Sequence, residues 1–467
     1  MKDCQKTVIP RFVSELDPDF IPASLYNRNF LREVDASGGG TQIAIAVERN
    51  GGQIVVHNTR IFSVNSPHSE SNYFFIERLI KSLLWTIGGF RIIIGGSEKI
   101  GEYIRKAYSD DGIRAFDAQF MSRIYEHPFE VVITDFDKVP ASCEKAKPVG
   151  RNLDGCRIGF DAGGSDRKVS AVMNGEAIYS EEVVWYPKTI ADPDYHFDGI
   201  VSAFKSAASH LPRVDAIGIS SAGVYVDNRT MIASLFMKVP QDLFDKKVKD
   251  IYIRAANEIG NIPLEVANDG DVTALAGAMD LDDVNVLGLA MGTSEAGGYV
   301  DGGGCITGRL NEFSFVPVDW NPESMTDEWS GDYGCGVNYF SQDAVIRLAP
   351  KAGIELDQKL SPAEKLKIVQ KLHESGDKRA EKIFETIGIY LGYEIALYAE
   401  FYDIKHVLIL GRVTSGEGGN IIIKKTQQVL ESEFPEIYKA INLHLPDESN
   451  RRVGQSIAAA SLPKLLK

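Results

Sequence analysis

The chain has 467 residues and a formal net charge of −15, longer than one domain requires and acidic enough to repel a nucleic-acid backbone. Its longest apolar stretch, residues 83–96, is broken by glycines and an arginine, and its first residues lack an apolar signal core, so no membrane partner and a cytoplasmic location are expected. Five scattered cysteines (Cys4, Cys143, Cys156, Cys305 and Cys335) suit free thiols in a reducing compartment, and the eight histidines show no metal-ligand spacing.

Residues 1–150 read as an accessory α/β domain. Val34-Asp35-Ala36-Ser37-Gly38-Gly39-Gly40-Thr41 leads into a strand over 42–47, a turn at Asn50-Gly51-Gly52 and a returning strand over 53–57. An apolar strand over 90–95 then opens into glycines and an amphipathic run to Tyr108. This part lacks a basic recognition helix, which argues against DNA binding. The proline-, lysine- and charge-rich residues 137–152 read as a linker.

From Ile158 an apolar strand meets Asp161, Gly163, Gly164 and Ser165. Glycines let backbone N–H groups approach phosphate oxygens, a hydroxyl adds a donor, and a strand-end aspartate can hold magnesium through water. A plain tight turn is the alternative. The strand returns as a hairpin through Asn174-Gly175. Residues 216–223 form a buried strand ending in Ser220, Ser221 and Gly223. A second short strand delivers Asn268-Asp269-Gly270-Asp271 into a helix, with Asp271 also readable as a carboxylate favouring a helix N-terminus. Residues 286–302 repeat the first loop, with Gly292, Thr293, Gly297 and Gly298 between two strands, and residues 406–420 run from a strand through Gly411 into an amphipathic helix. Trp320, Trp329, Tyr333, Tyr339 and Phe340 form an aromatic cluster suited to stacking on a sugar or to packing.

In this order the segments resemble the ROK sugar kinases (repressors, open reading frames, kinases), a branch of the actin, sugar kinase and heat-shock chaperone superfamily, from about Arg157 to the last residue. The resemblance implies a two-lobed actin-like ATPase (ribonuclease H-like) fold, with lobes over 151–279 and 280–467, a final helix near 453–466 packing back on the first lobe, and the accessory domain ahead of them. It implies ATP and Mg2+ as cofactors, a sugar as substrate and a homodimer. By the family's motifs, Asp269 is the catalytic base. Asp161, Gly163, Gly164, Ser165, Gly292, Thr293, Gly297, Gly298 and Gly411 take the nucleotide, with Asp161 on magnesium, and Asn268, Glu312, Ser221 and Gly223 take the sugar. The chain departs from the pattern: Asp271 stands where the family has an asparagine, Arg412 where it has a second glycine and Phe315 where it has a histidine, and the family's zinc-binding cysteines reduce to Cys335, so no zinc site is expected. A non-catalytic sugar or nucleotide sensor is the alternative function. The loop and hairpin near Asp35 echo those at Asp161, readable as a degenerate duplication or as chance, with no second Asn268-Asp269 element.

Overall fold

The computed structural model describes residues 8–144, 149–446 and 448–465. Cys4 and residues 145–148 of the expected linker lie outside them. Three sheets organise the described residues. The N-terminal sheet has the order β2-β1-β3-β4, with β1 (Thr41–Arg49), β2 (Gln53–Ile61), β3 (Arg91–Gly95) and β4 (Glu130–Thr134). The central strand β1 buries Ile43 through Val47 on both faces, hence its unbroken apolar run. The Asn50-Gly51-Gly52 turn supplies the positive φ of 71° and 70° that its hairpin needs.

The second sheet, β11-β8-β5-β6-β7, comprises β5 (Cys156–Ala162), β6 (Asp166–Met173), β7 (Glu176–Val184), β8 (Ala216–Ser221) and β11 (Leu264–Asn268). Strands β5 to β7 form an antiparallel meander, and β8 and β11 join parallel to β5. A separate small hairpin pairs β9 (Val224–Val226) with β10 (Arg229–Ile232). The third sheet, β13-β12-β14-β15, comprises β12 (Val286–Met291), β13 (Glu295–Val300), β14 (His406–Leu410) and β15 (Asn442–His444). The helix Glu448–Ala460 lies across β5 and β8 of the first lobe. It approaches so closely that a Cβ on Gly218 would stand 1.7 Å from the Ala459 carbonyl oxygen and one on Gly159 2.0 Å from that of Ser456. No helix among the described residues is long and apolar enough to cross a membrane.

The cores do not divide as the sheets do. The first lobe has its own cluster around Phe160, Phe204 and Tyr252. The N-terminal sheet and the second lobe instead share one cluster running from Leu16 through Trp85 and Trp320 to Ile441. Rings interlock across this junction: Phe20 meets Tyr390 at 4.6 Å, Tyr26 meets Trp320 at 4.9 Å and Trp85 stacks on Phe315 at 4.2 Å. The stretch read as a linker is tied down as well, since Cys143 bridges to Ile54 and Glu144 pairs with both Arg49 and Arg309. The echo between the N-terminal and kinase-like segments stops at the sequence. Asp35 lies in the helix Ala23–Ala36 that precedes β1, whereas Asp161 lies in β5, so the two glycine loops join different elements.

Candidate active site

Asp269 is the first residue of the helix Asp269–Asp280, where β11 ends. Asn268 caps that helix: its Oδ1 accepts from the Gly270 N–H at 2.7 Å and its Nδ2 donates to the Gly223 carbonyl at 2.8 Å. Asp269 Oδ1 also accepts from the Gly270 N–H, at 3.0 Å. Burial raises the Asp269 pKa, opposed by that N–H bond and by the charge of Lys188. Partly exposed on the cleft, it keeps a path to a ligand.

Three more carboxyl groups stand nearby. Asp161, at the end of β5, accepts from the Ser220 hydroxyl at 2.9 Å, and burial with the neighbouring Asp269 lifts it to about 6. Burial, together with Asp269 and Asp271, lifts Glu312 to about 7. Asp271 is buried and also raised by burial to about 7, although its Oδ1 accepts from the Tyr299 N–H at 3.1 Å and from Asn311 Nδ2 at 2.8 Å. It is more than a favourable charge at a helix start, because it ties the helix to β13 and to the loop carrying Glu312. A carboxyl raised on folding supports the fold fully below its unfolded pKa and loses that support as pH rises through the folded value. Asp271→Asn is therefore expected to melt increasingly above the wild type as pH is taken from 5 to 8. A gap that stays constant over melting scans across this range contradicts the placement.

The glycine turns behave differently from one another. At the β5–β6 turn, the Trp185 indole N–H donates to the Gly163 carbonyl at 2.7 Å and its backbone N–H to that of Ser165 at 3.1 Å, leaving Gly164 and Ser165 on the surface. At the β12–β13 turn, the Gly292 N–H donates to the Ser294 carbonyl at 3.0 Å and Thr293 sits exposed at the tip. Gly411 has φ 105°, and a Cβ there would stand 2.2 Å from the Met291 carbonyl oxygen, so this position admits only glycine beside the end of β12. Gly297 and Gly298 are a correction to the sequence reading. Both are buried within β13; a Cβ on the first would strike the Phe313 ring at 2.2 Å and on the second the Gly270 carbonyl oxygen at 2.3 Å, so they serve close packing and face no ligand.

Ser221 is a second correction. Its hydroxyl is fully buried between the Tyr252 hydroxyl at 2.8 Å and the Tyr225 hydroxyl at 2.6 Å, which leaves it no surface to offer a sugar. Gly223 keeps its place through the Asn268 bond. Of the aromatic cluster, Trp320 packs in the shared core, Tyr333 lies 3.7 Å under Arg78, and only Trp329 is open, at 71% exposure. Phe315 is seated on Trp85 with Phe116 and Phe120 beside it.

Lys188 has no counterpart in the sequence reading. Its Nζ would be 3.2 Å from a Cβ on Gly164, so one exposed cation stands beside the first glycine turn, and its charge favours the ionised form of Asp269. In the sequence it is one of 50 basic residues with no motif around it.

The ROK family model matches residues 157–459, and no curated protein matches the chain. Among solved structures, a ROK hexokinase from Thermus thermophilus is similar at 20% identity and a TM-score of 0.49, covering 65% of this chain and 97% of its own. A ROK family glucokinase from Streptomyces griseus, in complex with glucose and AMPPNP, is similar at 22% identity and a TM-score of 0.47, covering 65% and 98%. A ROK family transcriptional regulator, a homolog of the E. coli MLC protein, is similar at 18% identity and a TM-score of 0.49, covering 66% and 79%.

Proposed function

This chain belongs to the ROK family, with its two kinase-like sheets in the two-lobed actin-like arrangement of that superfamily, and from that premise we propose that it is an ATP-dependent carbohydrate kinase. The observation that carries the reading is that Asp161, with its Gly163–Ser165 turn, and Asp269 stand at the same ends of β5 and β11, the two strands that flank β8 in parallel register. A carboxylate with a raised pKa accepts a proton from an alcohol more readily than an ordinary one. A glycine turn at the neighbouring strand end can hold phosphate, and the lysine beside that turn meets negative charge as it moves from donor to acceptor.

In this reading Asp269 takes the proton of the acceptor hydroxyl as the γ-phosphoryl group arrives in line. Asn268 and Glu312 hold acceptor hydroxyls, Asn268 fixed by its two bonds and Glu312 by its loop. Gly163, Gly164, Ser165, Gly292 and Thr293 cradle the phosphates, and Gly411 lets the end of β14 pack against the end of β12 beside Gly292. The acidic oxygens at Asp161 suit magnesium, since a cation offsets the burial that raises this carboxyl. Among the described residues no three acidic, histidine or cysteine side chains converge as direct metal ligands, so Asp161 would hold the ion through water. Bound magnesium neutralises phosphate charge.

Lys188→Met is expected to lower kcat by about 10²- to 10³-fold, the range for removing one donor aimed at transition-state charge, with a smaller change in the acceptor KM. An unchanged kcat removes Lys188 from this role. The function itself is tested by ADP release from Mg-ATP against hexoses, N-acetylated amino sugars, sugar acids and polyols. Acceptor-dependent release with one class supports the kinase, whereas ATP binding without release on any acceptor favours a sensor.

A further inference from the structure

The helix Ser71–Ile87 lies outside the residues that match the family, yet its last turn holds the loop that carries Glu312. At its middle, Arg78 and Lys81 are fully buried and reach Asp332 at 2.6 and 3.3 Å, joined there by Arg114 at 2.9 Å. Asp332 is held well below the usual carboxylate range: burial pushes it up, and Lys81, Arg78 and Arg114 outweigh that. One turn on, the Trp85 ring stacks on Phe315 while its indole N–H donates to Asp117 at 2.8 Å. Residues 78, 81 and 85 fall on one helical face.

At the helix end the contact passes to the backbone. The N–H groups of Leu310, Asn311 and Glu312 donate to the carbonyls of Ile87, Thr86 and Trp85 at 3.1, 3.0 and 3.0 Å. These are carbonyls that a helix C-terminus leaves without intrahelical partners, and the loop uses all three. Gly88 lets the chain leave at φ 80°, where a Cβ would stand 2.9 Å from Leu310 Cβ. The Tyr402 hydroxyl lies 2.7 Å from Asn311 Oδ1 and 3.0 Å from the Thr86 carbonyl, and Asn311 in turn donates to Asp271. Beyond the loop, Arg49 and Tyr125 of the N-terminal segment wall a cavity of about 220 Å³ whose other wall includes Gly223, Asn268 and Asp271.

We infer that the helix Ser71–Ile87 is a positioning element of the acceptor site: it fixes the loop that carries Glu312 and joins it, through Asn311 and Tyr402, to Asp271 beside the catalytic base. The inference rests on the kinase reading for the identity of the acceptor, while the loop placement stands apart from it. Without the helix end, three backbone donors and the Phe315 ring lose their partners, and the Glu312 carboxyl loses its fixed distance from Asp269.

The test uses the full chain with Tyr402→Phe, which removes one hydroxyl from the junction, and Trp85→Phe, which keeps a ring on Phe315. Hydrogen–deuterium exchange over residues 308–316 is expected to rise in Tyr402→Phe, with exchange over 158–166 unchanged. The acceptor KM is expected to rise about three- to tenfold, as for the loss of one hydrogen bond, with the ATP KM held within twofold. Trp85→Phe is expected to stay closer to the wild type than Trp85→Ala in both readouts. Unchanged exchange over 308–316, or acceptor and ATP constants that shift together, overturns the inference. If the wild type phosphorylates no acceptor, the kinase reading fails, and the exchange comparison still decides whether the helix positions the loop.

Discussion

Asp269→Asn is expected to lower kcat by about 10²–10⁴-fold, the usual contribution of a general base, while nucleotide affinity and the melting temperature stay near or above those of the wild type. The asparagine is nearly isosteric and its Oδ1 can still accept from the Gly270 N–H that now meets Asp269 at 3.0 Å. What disappears is the ability to take a proton. Because burial already disfavours the charged form of Asp269, removing that charge relieves the fold of a desolvation cost. A loss of turnover with a lowered melting temperature would point to a damaged site, and turnover within a fewfold of wild type would assign the proton to another group. Glu312 is then the next candidate, since its carboxyl is raised to about 7 by burial beside the same aspartates.

Removing the N-terminal segment is expected to have the larger effect on stability. A chain beginning at Asn152 should lose the cooperative thermal transition of its second lobe, because that lobe shares its core with the N-terminal segment, whereas the first lobe keeps its own cluster. Trp320, Phe313 and Tyr390 belong to the same apolar cluster as Phe20, Tyr26, Phe75 and Trp85. Deleting the latter turns a buried face into an exposed apolar patch. The point is sharpened by Asp332→Ala in the full chain, which leaves Arg78, Lys81 and Arg114 facing only Glu77 and Asp117 in a site at most 6% exposed. Breaking a buried ion pair by removing one partner costs about 3–5 kcal/mol. Denaturant titration of the variant gives the value, and a loss under about 1 kcal/mol would mean that the network adds little. A cooperative melt of the second lobe in the shortened chain would make residues 1–150 a separable unit.

The sequence made legible those features whose cause is local. Turn chemistry at Asn50-Gly51-Gly52 and Asn174-Gly175 announces hairpins because few residues adopt positive φ, and the strand-end placement of Asp161, Asn268 and Asp269 follows from apolar runs that stop at polar residues. Residues whose chemistry is shared by two uses were misread. Ser221 has a hydroxyl and Gly297 has no side chain whether they meet a ligand or a neighbouring element, and only the positions of Tyr225, Tyr252 and Phe313 decide between the two. Contacts made far along the chain left no trace: Arg78 meets Asp332 across 254 positions, and neither stretch carries a pattern that names the other. The same holds for Lys188, whose role depends on a turn 24 residues earlier closing beside it, and for Trp85, which read as part of an apolar run and proved to be the seat of Phe315.

In the proposed reaction the γ-phosphoryl group of ATP ends on a sugar hydroxyl. Phosphorus NMR of the full chain with Mg-ATP and the acceptor panel tests it most directly, since it shows where the phosphorus goes. The account predicts a new phosphomonoester resonance, growing with ADP in equal amounts, with one acceptor class and absent in Asp269→Asn. Inorganic phosphate as the only product, or unaltered ATP with every acceptor, would contradict it.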